Sequence, residues 1–291
     1  MTLDGETVTV VDAHVHIFPD DIGRDRARWL LRDHWFNALY ENPAAQLATV
    51  DDLIASMDAS GVDRAIVCGF PWSDAAHCEY QNQYMAEAVR LFPDRLSWLA
   101  IVAPGDDAAG HMAERCLESG ASGIGELNAD AQGFSCSDTG SLEPIARVAQ
   151  SHGKPLLVHA SEPLGHAYPG KGQATPDQIL DLAAAFPELK IVAAHWGGGL
   201  PFFELMPEVR AMAGLVAYDS AATTYLYDHA VFEHVTRICG PEKVIFASDY
   251  PVLRQDRLIK RMANVNWTSL EIARLVMGGN ASRVYGLATW S

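Results

Sequence analysis

Val8-Thr-Val-Val-Asp-Ala-His-Val-His16 is an almost continuous apolar run that ends in two histidines. An apolar run of this length without strict alternation fits a parallel strand covered on both sides. Seven similar runs follow it: Arg64–Phe70, Leu96–Ala103, Gly123–Leu127, Pro155–His159, Ile191–His195, Leu215–Asp219 and Val244–Asp249. The stretches between them carry helical periodicity. Leu53, Ile54 and Met57 share one face, as do Tyr84, Met85, Ala88, Val89 and Phe92, and Leu142, Ile145, Ala146 and Ala149. Thr175-Pro-Asp-Gln178 and Thr268-Ser-Leu-Glu271 read as capping boxes at helix starts. Eight strands alternating with helices predict an α/β fold of the (β/α)8 TIM-barrel type. An open doubly wound sheet is the competitor, but the Gly-x-Gly-x-x-Gly turn it would usually want is absent after His16.

Two stretches exceed the plain alternation. Residues 18–48 are long and aromatic, with Phe18, Trp29, Trp35, Phe36 and Tyr40, and residues 160–175 are rich in Gly and Pro. Both follow strands, so both are expected over the C-terminal mouth, where long loops serve as lids or substrate contacts. The first also reads as a short helical pair packed on the barrel. With no linker, low-complexity tract or fixed-period repeat, residues 1–291 are expected to form one domain with loop insertions at about 18–48 and 160–175.

Composition sets the outer limits. The chain has 291 residues, 49% of them hydrophobic, and 21 Lys+Arg against 37 Asp+Glu, a formal charge of −16. That balance disfavours a nucleic-acid partner, which needs a basic face. Cys68, Cys78, Cys116, Cys136 and Cys239 are odd in number and scattered, so neither a disulfide framework nor a cysteine zinc site is expected. The acidic N-terminus lacks a signal-peptide pattern and no apolar run approaches ~18 residues. A cytoplasmic enzyme that neither crosses a membrane nor binds nucleic acid is the expectation.

The ends of the strands carry the chemistry. His14 and His16 lie two residues apart and so share a strand face. Taken alone, the pair reads equally as metal ligands or as a satisfied polar pair. The pattern recurs, however: Ile124-Gly-Glu126-Leu127 ends the fourth run, His159 the fifth, His195 the sixth and Asp249 the eighth. Four imidazoles and two carboxylates at one end of consecutive strands form a divalent-metal set. Zn²⁺ is favoured by its tolerance for N/O ligands, with Mn²⁺ or Fe²⁺ as alternatives, and one or two ions are compatible with the set. His34, His77, His111, His152, His229 and His234 read as surface or capping residues. His166, in the long loop beside Tyr168, is a candidate substrate contact.

The order His-x-His, Glu, His, His, Asp on successive strands resembles the amidohydrolase superfamily. The phrases Val11–His16, Gly125–Asn128, His195–Gly198, Ser248–Pro251 and Asn280–Leu287 are similar to its amidohydrolase-2 branch. That branch holds hydrolases, lactonases, and decarboxylases of the aminocarboxymuconate-semialdehyde type, with TatD-type nucleases as metal-dependent relatives. The resemblance runs from Val8 to Leu287. It implies that His14, His16 and Asp249 hold a first metal, and that His159 and His195 bind a second or face substrate. It likens Glu126 to the bridging glutamate of TatD-type two-metal hydrolases. Since the decarboxylases typically lack a bridging carboxylate there, Glu126 points to hydrolysis of an amide, ester or lactone. A non-oxidative decarboxylase is the alternative, and a nuclease is disfavoured by the −16 charge. In the hydrolase reading Asp249 moves the proton of a metal-activated water, while His195 or a second metal polarises the carbonyl. Substrate contacts are expected on the loops after strands: Trp72, Asn128, Gln132, Tyr168, Lys171, Trp196, Thr223, Tyr225 and Arg254. Lys171 and Arg254 are candidate partners for a substrate carboxylate, with ordinary surface charge as the alternative. The expected partner is a small molecule, and a homodimer is compatible with the resemblance.

Overall fold

The computed structural model describes residues 1–3 and 5–287, so Asp4 and the last four residues of the expected domain lie outside the described residues. Eight parallel strands form one sheet in chain order: β1 Val11–His16, β2 Arg64–Cys68, β3 Leu96–Ala100, β4 Gly123–Leu127, β5 Leu156–Val158, β6 Ile191–Ala193, β7 Val216–Asp219 and β8 Val244–Ile245. The sheet curls back on itself. Ala13 N donates to Phe246 O (3.0 Å), Asp249 N to His14 O (3.0 Å) and His16 N to Tyr250 O (2.6 Å), which joins β1 to the segment after β8. The expected TIM barrel is therefore the fold.

Five of the eight predicted runs overshoot their strands at the C-terminal end. His195 and Trp196 have φ of 56° and 59°, and Asp249 has φ of 70°. Left-handed residues cannot continue a pleated ladder. His159, His195 and Asp249 thus fall past the ends of their strands, whereas His16 and Asp219 end β1 and β7 and Glu126 lies within β4. The capping boxes also shift. Thr175 precedes the helix Pro176–Ala185, but its hydroxyl donates to Asp177 Oδ1 (2.5 Å) rather than accepting from the helix backbone. Ser269, not Thr268, caps Leu270–Arg274 by accepting from Ile272 N.

Two apolar layers result. Val11, Ala13, Ile66, Leu99, Leu157, Val192 and Ile245 fill the barrel, and Ala281, Val284 and Tyr285 of the helix Asn280–Tyr285 pack against them. Gly278 leads into that helix, and a Cβ there would lie 2.9 Å from Thr9 O, at the N-terminal end of β1. The helix therefore plugs the end of the barrel opposite the mouth. The outer layer lies between strands and helices, with Val15, Leu53, Met85, Ile145 and Leu182 among its members.

Residues 18–48 form three short helices, Asp20–Arg24, Arg26–Leu30 and His34–Tyr40. Asp33 caps the third by accepting from Trp35 N and Phe36 N, both at 2.9 Å, and it also receives Ser73 Oγ (3.0 Å) from the loop after β2. Phe18, Phe36, Tyr40, Phe70 and Trp72 stack into one buried aromatic cluster, with Phe36–Trp72 centroids 5.2 Å apart. The segment is both a packed helical layer and a wall of the mouth.

Candidate active site

Two local irregularities deliver the side chains. In β1 the register shifts between Asp12 and Val15. Val11 and Ala13 point into the barrel, whereas Val15 packs outward. The shift breaks strict alternation and turns His14 and His16 together into the mouth. In β4 the register shifts between Ile124 and Leu127. Gly125, at φ 139°, lies where a Cβ would sit 2.4 Å from Leu157 O, so only glycine fits. Glu126 is thereby brought to the same point as the histidines.

The six side chains converge as two triads. His14, His16 and Asp249 form one, and Glu126, His159 and His195 the other, with ligand atoms in each within 4.8 Å of one another. Glu126 lies between them. Its Oε2 is 3.3 Å from His14 Nε2 and 3.6 Å from His16 Nε2, while Oε1 is 2.9 Å from His159 Nδ1 and 3.2 Å from His195 Nε2. Asp249 Oδ1 is 3.6 Å from His16 Nε2.

The donor set fits a divalent cation. His14 Nδ1 faces Asp219 Oδ2 at 2.8 Å, which assigns its proton to Nδ1 and leaves a lone pair on Nε2. That nitrogen lies 3.1 Å from His16 Nε2. His16 Nδ1 and His195 Nδ1 are buried with no hydrogen-bond partner among the described residues. Protons on those Nδ1 atoms would leave both Nε2 atoms free for a cation. Such an ion would take the place of the protons that His14 and His195 otherwise hold toward Glu126, so this buried cluster of imidazoles and carboxylates suits a divalent metal.

Charge coupling is strong here. Burial opposes charge on His14, but Glu126 and Asp219 outweigh it and hold the ring well above its usual value. Burial, with His14 beside it, drives His16 down to about 4. Burial opposes charge on His195, but its hydrogen bond to Glu126 and the charges of Glu126, Asp249 and Asp219 together outweigh it and raise the ring to about 9. Burial would raise Glu126, yet the surrounding imidazoles keep it well below the carboxylate range. Asp249 rises to about 6, chiefly through burial.

Above this floor lies a cavity of about 530 Å³. Trp35, Leu39, Tyr40, Phe70 and Pro71 form one side, Tyr168–Gly170 and Tyr225 another, and Arg254 and Arg257 stand among the lining residues. Of the candidate contacts, Asn128, Tyr168, Tyr225 and Arg254 line it. Trp72 does not; it is fully buried in the aromatic cluster and donates to Gln81 Oε1 at 2.6 Å. Gln132 is held by Trp72 O and Val102 O, and Trp196 is buried with Nε1 on Thr223 Oγ1. His166 bonds Tyr225 OH (2.9 Å) from behind the lining. Lys171 is tied within its own loop to Leu164 O and Glu162. Arg254, for its part, pairs with Asp256 at 2.8 Å. Asp219 is the site residue sequence reasoning passed over. It orients His14 and also accepts His195 N (2.9 Å). The same strand-end signal marks it, as the last residue of the seventh run.

Residues 11–287 match the amidohydrolase family (Amidohydro_2). The chain belongs to that family. Among curated proteins this amidohydrolase is similar to a gamma-resorcylate decarboxylase from a Polaromonas species, with 23% identity over 282 residues, 82% of this chain and 84% of the relative. Its barrel superposes on 5-carboxyvanillate decarboxylase from Sphingomonas paucimobilis with a TM-score of 0.79, at 20% identity and covering 97% and 100% of the two chains. A dihydroxybenzoic acid decarboxylase from Polaromonas superposes with a TM-score of 0.73, at 18% identity and 97% and 98% coverage; it was solved with manganese and the inhibitor 2-nitroresorcinol. These relatives overturn the expectation of hydrolysis. The error lay in giving Glu126 the power to choose the reaction. A carboxylate held among imidazoles suits an ion that ionises water as well as one that grips substrate oxygens. Manganese in a relative also leaves zinc without specific support. Among the described residues, no helix is long and apolar enough to cross a membrane.

Proposed function

We propose that this amidohydrolase is a metal-dependent, non-oxidative decarboxylase of a hydroxylated aromatic acid. The observation that carries the proposal is the cavity: a largely apolar space, walled by Trp35, Leu39, Tyr40, Phe70 and Pro71, directly above the imidazole–carboxylate floor. Its volume falls in the small-molecule range of roughly 300–1,000 Å³. An aromatic ring buries its faces against that wall while its carboxylate and hydroxyl oxygens point to the floor. The decarboxylase relatives supply the reaction class.

His14, His16 and Asp249, with Glu126, His159 and His195 beside them, would hold the ion, for which the manganese of the relative is the guide. When bound, a divalent ion supplies positive charge that anchors substrate oxygens and stabilises charge developing on them. The rest falls to the protein. The apolar wall excludes water and orients the ring. Asp249 takes up a proton from solvent and passes it to the ring carbon that bears the carboxylate. The carbon–carbon bond then breaks, its electron pair returns to the ring, and carbon dioxide leaves. Asp219 keeps His14 in the tautomer that presents Nε2 to the ion.

Two measurements bear on this reading. Manganese-loaded protein should release carbon dioxide from 2,6-dihydroxybenzoate or 5-carboxyvanillate, and in D2O the vacated ring carbon should gain one deuterium. Incorporation of ¹⁸O from labelled water into a cleaved ester or lactone, with aromatic acids untouched, would refute it. Asp219→Ala should weaken manganese affinity about 10–100-fold, the usual cost of losing a group that orients a ligand. Unchanged affinity in a competitive chelator titration would remove Asp219 from that role.

A further inference from the structure

Three tyrosines line the cavity, and they differ in what their hydroxyls do. Tyr168 OH donates to Glu162 Oε2 (3.0 Å), and Tyr225 OH meets His166 Nε2 (2.9 Å). Tyr40 has no hydrogen bond to any described residue, although it is only 3% exposed. Its ring is fixed from several sides, with centroids 4.7 Å from Phe36, 5.5 Å from Phe18 and 6.0 Å from Phe70. It ends the helix His34–Tyr40, whose start is pinned by Asp33. Little freedom remains for the side chain to seek a partner elsewhere. The ring is buried while the residue lines the cavity, and an unpaired donor on a cavity wall is placed for a ligand. Burial, reinforced by the charges of Asp249 and Glu126, pushes the phenol above its usual value. It therefore remains a hydrogen-bond donor at neutral pH and lies within the field of the acidic floor.

We infer that Tyr40 is a substrate-binding residue whose hydroxyl donates a hydrogen bond to an anionic oxygen, carboxylate or phenolate, of the bound aromatic acid. The inference rests on the proposed decarboxylase reading and adds a recognition element to it. Arg254 and Arg257 sit among the lining side chains as well but are exposed, whereas Tyr40 acts from within the wall.

Tyr40→Phe tests it, since the change removes one oxygen and no packing. Manganese-loaded parent and variant are compared by calorimetric titration with 2-nitroresorcinol and by turnover of 2,6-dihydroxybenzoate and 5-carboxyvanillate. Binding and KM should worsen about tenfold, the size of one hydrogen bond to a charged oxygen. Metal content and melting temperature should stay unchanged, because the hydroxyl holds no protein partner. Equal affinity in parent and variant overturns the role of Tyr40 and leaves the decarboxylase reading intact. A drop in melting temperature with equal affinity likewise overturns it, in favour of a structural role. A parent that binds 2-nitroresorcinol but releases no carbon dioxide fails the decarboxylase reading alone, and the binding comparison still decides Tyr40. A parent that neither binds nor turns over any of these compounds overturns both.

Discussion

Asp249→Asn is expected to lower kcat for decarboxylation by about 10²–10⁴-fold, the range that a placed proton donor supplies. The substitution is close to isosteric and retains one carboxyl-type oxygen, so the His14–His16 side of the centre keeps part of its affinity for manganese. It also suits the backbone. Asp249 sits at φ 70°, in the left-handed region, and asparagine tolerates that region better than other residues with a side chain. The flanking main-chain bonds, Asp249 N to His14 O and Leu253 N to Asp249 O, do not involve the carboxylate. The barrel should therefore close as before, with far-UV circular dichroism and melting temperature near those of the parent. What is lost is the exchangeable carboxyl proton beside His16. Metal analysis and single-turnover kinetics separate the two contributions: partial occupancy with a rate far below that occupancy is the expected pattern. Parent-like turnover at full occupancy would show that Asp249 merely shapes the turn before Pro251, and another group would have to deliver the proton.

Position along the chain explains what could be read in advance. The barrel was legible because parallel strands covered on both faces need uninterrupted apolar runs, and Val11, Ile66, Leu99, Leu157 and Ile245 are the products of that need. His14, His16, Glu126, His159, His195 and Asp249 were legible for a related reason. Each is a polar residue at the end of such a run, where an open barrel mouth is the only place that tolerates it. The same rule marks Asp219, but a carboxylate that serves another residue looks no different in sequence from one that closes a strand. The register shifts in β1 and β4 were invisible, because the apolar pattern survives them while the side-chain direction does not. They decide whether Glu126 meets the histidines at all.

The reaction was the least legible part. Metal, imidazole and carboxylate are common to hydrolysis and to decarboxylation, so ligand spacing alone cannot choose between them. The reaction class came from the decarboxylase relatives, and what the cavity wall adds is the shape of the space; its members Trp35, Leu39, Tyr40, Phe70, Tyr168 and Tyr225 come from far apart in the chain. Their aromatic character reads locally as core, and for Phe36 and Trp72 it is core. Only the folded chain separates the rings that fill the layer from those that line the cavity.

Removal of the metal should abolish turnover while leaving the fold in place, and manganese should restore activity. The candidate ligands lie at the mouth, whereas stability comes from the packed interior around Leu99, Val192 and Ile245 and from the outer layer between strands and helices. No candidate ligand belongs to either apolar layer. Chelation at neutral pH should therefore change the far-UV circular dichroism little. The melting temperature should still fall, because an ion bound only by the folded state stabilises it by about 2.7 kcal/mol at a free concentration 100 times its Kd. His14→Ala should mimic the chelated state without recovery. It removes the nitrogen that lies 3.1 Å from His16 Nε2 and 3.3 Å from Glu126 Oε2, and it leaves the buried Asp219 carboxylate without its side-chain partner, a loss that manganese cannot repair. A cooperative loss of secondary structure on chelation would mean that the ion holds the barrel closed between β1 and β8, a structural role rather than a catalytic one. Full recovery of the His14→Ala variant in excess manganese would place the ion on the Glu126, His159 and His195 triad instead.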